Sequence, residues 1–136
     1  MSAKKVVKAF YEADLANDAT MVSKHFHKDC ELHWTSSQGF TLLNYKDIET
    51  FFEATRQSYN SVRFEFTHFI GSGDFVTTRH TLFGSTIENP EAETAIAHFS
   101  TIWEVKDEKL YRGFEISQQA DETDEKSVKS YREIKL

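Results

Sequence analysis

The sequence is short of the residues that staple, break or anchor a chain. It has one cysteine, Cys30, so no disulfide can close within it. One proline, Pro90, and five glycines leave long stretches without breakers, unlike a collagenous or loop-dominated chain. No apolar run approaches the roughly 20 residues of a membrane-spanning helix. Residues 1–11 alternate basic and apolar side chains and lack the continuous apolar segment of a secretory leader. The 16 Lys and Arg are scattered among 22 Asp and Glu, for a formal net charge of −6. Nucleic acid and anionic membranes both require a basic face, so neither is expected as a partner. There is no Gly-x-Ser-x-Gly elbow, no phosphate loop and no ligand spacing for a metal. A cytoplasmic protein without metal or cofactor is expected.

What the chain has in excess is phenylalanine, 12 of 136 residues. Four β-like runs, Val62–Ile70, Phe75–Thr86, Glu93–Lys106 and Leu110–Gln118, are rich in Phe, Thr, Val and Ile. Turn residues separate them at 71–74, 88–90 and 106–109, which predicts an antiparallel meander. Ahead of it, helical spacing recurs over Lys4–Ala16, again from Met21 to Phe26, and from Asn44 to Tyr59, where Asn44 and Asp47 suit a helix start. A short strand is expected over Cys30–Thr35 and a loop over Ser36–Leu43. Residues 1–120 suffice for one domain, and 121–136 read as a polar tail or short helix carrying Val128, Tyr131 and Ile134.

The order helix, helix, short strand, helix, four-strand meander resembles the nuclear-transport-factor-2-like superfamily, the group of SnoaL-like polyketide cyclases and ketosteroid isomerases. The resemblance runs over residues 4–118 and rests on Val7–Tyr11 followed by Asn17-Asp18, Phe26–Trp34, Lys46–Phe52, Arg63–Phe66, Gly71–Val76 and Ile102–Asp107. It implies an α+β fold, a cone-shaped, strongly curved and mainly antiparallel sheet with three N-terminal helices on its concave face. Set against the isomerases, Tyr11 matches the donor tyrosine. Trp34 stands in place of the aspartate base, Phe52 in place of a second tyrosine and Thr101 in place of a protonated aspartate. One of four roles survives, so that isomerase mechanism is not expected here.

Strand alternation then sorts the side chains. Trp34, Phe64, Phe99, Thr101 and Trp103 are expected inward, with Phe52, Thr55 and Tyr59 facing them from the third helix. In the last strand the more apolar parity, Phe114, Ile116 and Gln118, is taken as inward. These residues outline an aromatic pocket for an apolar or ring-containing small molecule. Tyr11 and His80 are its candidate catalytic groups, His80 as a general base with its pKa lowered by burial. A register break is expected between Phe66 and Phe69. The opposite face, with Arg79, Thr81, His98, Ser100, Ile102 and Glu104, is expected to form a homodimer interface. Three functions stay open: a binder, a cyclase, isomerase or dehydratase, and an assembly module.

Overall fold

The computed structural model describes residues 1–132. Helix α1 (Ala3–Glu12) starts where the Ser2 side chain accepts a hydrogen bond from the Lys5 amide, and it buries Val6, Val7, Phe10 and Tyr11 on one face. It ends earlier than its apolar periodicity suggests. Asp18 N–H bonds to the Asp14 carbonyl and Asn17 bonds to the Asp14 carboxylate, so Leu15 and Ala16 are buried from a turn instead. After α2 (Met21–His25), strand β1 (Phe26–Ser36) pairs with β2 (Gly39–Asn44). Helix α3 (Tyr45–Ser58) opens on a full capping box, Asn44 with Asp47. The meander follows as β3 (Tyr59–Ser72), β4 (Phe75–Thr86), β5 (Thr94–Lys106) and β6 (Lys109–Gln119), and then α4 (Glu125–Arg132).

The six strands form one sheet in the order β2-β1-β6-β5-β4-β3, antiparallel except for the β1–β6 pair. Register shifts that leave extra residues in β1, β3, β5 and β6 bend it around the first three helices. The break expected in β3 lies between Phe66 and His68 and buries Thr67. The fold is the α+β class that the resemblance implied, with Val7, Phe10, Tyr11, Met21 and Ile48 of the helices packed against Val76, Trp103 and Leu110 of the sheet.

Three expectations need correction. Residues 39–44 are a strand, because a two-residue turn at Ser37-Gln38 lets Gly39, at φ +107°, close a hairpin onto Ser36. β1 begins at Phe26, four residues before the strand expected from Cys30. The C-terminal helix lies on the outer face of the sheet. Arg79 bonds to the Ser130 side chain at 2.9 Å and lies over the Tyr131 ring, while His98 stacks on that ring with centroids 3.7 Å apart. Thr81 bonds to His98 beneath it. Arg79, Thr81 and His98, expected at a dimer interface, are thus covered by the chain's own helix. Ile134 lies outside the described residues. No described helix is long and apolar enough to cross a membrane.

Candidate ligand cavity

Between the helices and the inner face of the sheet is a cavity of about 250 Å³. Antiparallel and parallel pairing set side chains side by side in rows. One inward row runs Trp34, Glu115, Thr101, Thr78; the next runs Ser117, Phe99, His80, Phe66. Helix α1 brings Phe10 and Tyr11 onto these rows and α3 brings Ile48, Phe51, Phe52 and Thr55. The deep end is fixed by buried Tyr11, His80 and Trp103. The mouth lies where Phe51, 43% exposed, and half-buried Thr55, Tyr59, Ile96 and Ala97 meet solvent.

A chain of polar groups backs the deep end. Trp103 Nε1 donates to the Tyr11 hydroxyl at 2.9 Å, Tyr11 meets Thr78 Oγ1 at 3.4 Å, and Thr78 meets His80 Nδ1 at 3.1 Å. Indole N–H can only donate, so Tyr11 accepts from Trp103 and is free to donate onward to Thr78. His80 also stacks on Phe99, with planes 8° apart. Burial pushes its pKa down to about 3, so it is neutral throughout the physiological range. Burial and the nearby Glu115 carboxylate hold the Tyr11 phenol well above its ordinary range. Both are neutral hydrogen-bonding groups at neutral pH.

Glu115 is the one carboxyl group in the cavity wall and the residue that sequence reasoning missed. It lines the wall, and Thr101 Oγ1 donates to its Oε1 at 2.8 Å. Burial raises its pKa to about 7, partly opposed by that bond. A carboxyl group half-ionised at neutral pH can both give and take a proton. Close by, Trp34 Nε1 donates to Ser117 Oγ at 2.8 Å. Among the described residues no three His, Cys, Asp or Glu gather to hold a metal ion.

The reason for the miss is one residue of register. Lys106 pairs with Lys109 across a two-residue turn in which Asp107 and Glu108 have φ of 55° and 60°. Simple alternation from that turn points Phe114, Ile116 and Gln118 inward. A bulge opposite Glu104–Val105 makes Arg112 the partner of Glu104, and every later residue changes face. Gly113 then points inward, where a Cβ would come within 2.5 Å of the Trp103 ring and 2.7 Å of Leu32. Only glycine lets the indole lie against the strand. Phe114 is accordingly on the outer face, 44% exposed and stacked on His33, and Gln118 is exposed. Thr101 faces inward but acts on Glu115 and is not itself a wall residue of the cavity. Trp34, Phe52, Thr55, Tyr59, Phe64, Phe99, Trp103, Tyr11 and His80 do surround it.

A bent sheet closed on one side by helices, with an apolar cavity and one interior carboxyl, is the architecture of an α+β cone. The chain belongs to the SnoaL-like domain family, whose model matches residues 7–113. No curated protein matches it. Among solved structures it is similar to IdmH, a polyketide cyclase by assignment from Streptomyces antibioticus, at 15% identity over 86% of this chain and 92% of that one, with a TM-score of 0.68. An LEH-like epoxide hydrolase from M. tuberculosis shares 18% identity over 85% of this chain and 81% of that one, TM-score 0.63. TerC, crystallised with polyporic acid, shares 21% over 85% and 91%, TM-score 0.61. At these identities the likeness establishes the fold, and the scaffold serves several chemistries.

Proposed function

We propose that this SnoaL-like protein binds an apolar, ring-containing small molecule in the cavity and that Glu115 moves a proton on it. The observation that carries this reading is a single carboxyl group with a pKa of about 7 in a mainly aromatic and aliphatic wall. Isomerisation, cyclisation and dehydration all need a group that takes a proton at one atom and returns it at another. In this reading Glu115 does so, and Tyr11 and His80 hold the deep end in shape. TerC, co-crystallised with polyporic acid, supports looking for an organic small-molecule ligand in this fold.

Trp34 and Trp103 are in the cavity wall, so a bound aromatic is expected to change tryptophan fluorescence and raise Tm. Titration with naphthalene-like and polyketide-like compounds, followed by mass spectrometry of each incubated ligand, tests binding and turnover together. Glu115→Gln is expected to keep binding and abolish turnover. A panel that changes neither fluorescence nor Tm overturns the proposal. A second reading, binding without reaction, is favoured by one fact: among the described residues no buried side-chain nitrogen or oxygen lacks a partner. Bound ligand recovered unchanged selects that reading.

We also propose a cytoplasmic homodimer. Support for the dimer is the half of the outer face that α4 leaves bare, where Leu42, Phe114 and Ile102 lie in one cross-strand row and Phe40 and Ile116 in the next. All five are 44–65% exposed. Two such exposed apolar faces suit a two-fold contact between copies. Light scattering at micromolar concentration is expected to show a dimer that Ile116→Asp converts to a monomer. A wild-type monomer would end the idea. For the compartment, the support is one lone thiol, Cys30, buried and pushed up to about 11, which suits a reducing environment.

A further inference from the structure

The cavity has a charge rule as well as a shape. Among the described residues that line it there is no Lys and no Arg, and its one histidine is buried against Phe99 with Nδ1 already bonded to Thr78. Among the described lining residues the one acidic side chain is Glu115, in a wall that also holds Trp34, Leu82, Ile96 and the phenylalanine rings. An anion entering here finds no Lys or Arg among the described lining residues, and a second negative charge as Glu115 ionises. Desolvating an unpaired carboxylate carries a heavy free-energy penalty, so that penalty decides selection. Size narrows the choice further. An apolar cavity of about 150 Å³ holds a benzene ring, so 250 Å³ suits one ring with substituents or two fused rings.

We propose that the cavity selects by charge and size, accepting an uncharged molecule of one or two fused rings whose carbonyl or hydroxyl faces Glu115, and rejecting its carboxylate or phosphate analogue. This deepens the function proposed above and rests on it. Protonated Glu115 would donate to a ligand carbonyl, and ionised Glu115 would accept from a ligand hydroxyl, so either oxygen is served by one residue. A ligand bearing a protonated amine is the informative control, because it gains a partner only when Glu115 is ionised.

The experiment compares three naphthalenes by calorimetry: 2-acetonaphthone, 2-naphthoate and 2-naphthylmethylamine, each at pH 6 and pH 8. The ketone is expected to bind at least roughly 100-fold more tightly than the naphthoate at pH 8. The amine is expected to bind more tightly at pH 8 than at pH 6, and that gain is expected to vanish in Glu115→Gln. A naphthoate within tenfold of the ketone, or tighter, overturns the charge rule while leaving ligand binding standing. Absence of binding by all three, and by the wider panel, overturns both. An amine whose affinity ignores pH in the wild type removes Glu115 as the selecting group. The wild-type comparison needs no variant to fold, and the circular dichroism of Glu115→Gln confirms its structure before use.

Discussion

Glu115→Gln is expected to stabilise the protein at pH 8 by on the order of 3 kcal/mol and to change its stability little at pH 4. The carboxyl has an ordinary pKa of 4.5 and is raised to about 7 in the folded protein, first because burial disfavours its charged form. Between those values the folded state holds a proton that the unfolded state has released. Stability therefore falls as pH rises from 4.5 through 7, and the full penalty is present above that range. Each pKa unit corresponds to about 1.4 kcal/mol, which sets the magnitude. Glutamine keeps the shape and leaves an amide oxygen to accept from Thr101, so the variant removes the charge and little else. Urea unfolding of both proteins across pH 4–8 gives the difference directly. A difference that does not change with pH would mean that Glu115 is solvated as an ordinary surface carboxylate. The instability and the proposed chemistry have one source, since a group kept ready to transfer a proton at pH 7 must be held where its charge is poorly solvated.

Much of the fold could be read from local pattern because the pattern was local. The four meander strands announced themselves through Phe, Thr and Val between turn residues, and α3 through Asn44 and Asp47. What escaped was set by contacts distant in sequence. The strand Gly39–Asn44 is an exposed edge with polar and apolar residues mixed, and it is a strand because β1 pairs with it. α4 is short and charged, with no buried residue of its own, and it is held by Arg79 and His98 from strands far earlier in the chain. The inward parity of β6 depended on a bulge whose cause is the fit of Gly113 beneath Trp103. Apolarity was a poor guide there, because the outer face carries Phe114 and Ile116 while the inner one carries Glu115 and Ser117. The clue in the sequence was Gly113 itself, a glycine in the middle of a strand, where a bulge or a close approach is the usual cause.

His80→Phe is expected to reverse the acid sensitivity that Glu115 masks. The folded protein holds His80 neutral, with its pKa lowered from 6.5 to about 3 by burial. Below pH 6.5 the unfolded state takes up a proton that the folded state refuses, so this residue removes stability as pH falls toward 3. The loss is about 1.4 kcal/mol per pH unit, or roughly 2–3 kcal/mol by pH 4.5. Phenylalanine can stack on Phe99 and among Tyr11, Phe64 and Phe66 as the imidazole does, but it cannot bond to Thr78. Thr78 keeps Tyr11 as a partner, so the lost bond costs about 1 kcal/mol at pH 7.5. The variant is therefore expected to be slightly less stable than wild type at pH 7.5 and more stable at pH 4.5. Chemical unfolding at the two values shows the crossing, and a difference of constant sign would mean that His80 is solvated or gains a carboxylate partner on protonation. The same protein separates two roles for the residue. If His80→Phe binds and converts ligand at pH 7.5 while Glu115→Gln binds without converting it, His80 supports the wall and Glu115 performs the proton transfer. If His80→Phe binds ligand but leaves it unchanged, the assignment of the base moves to His80.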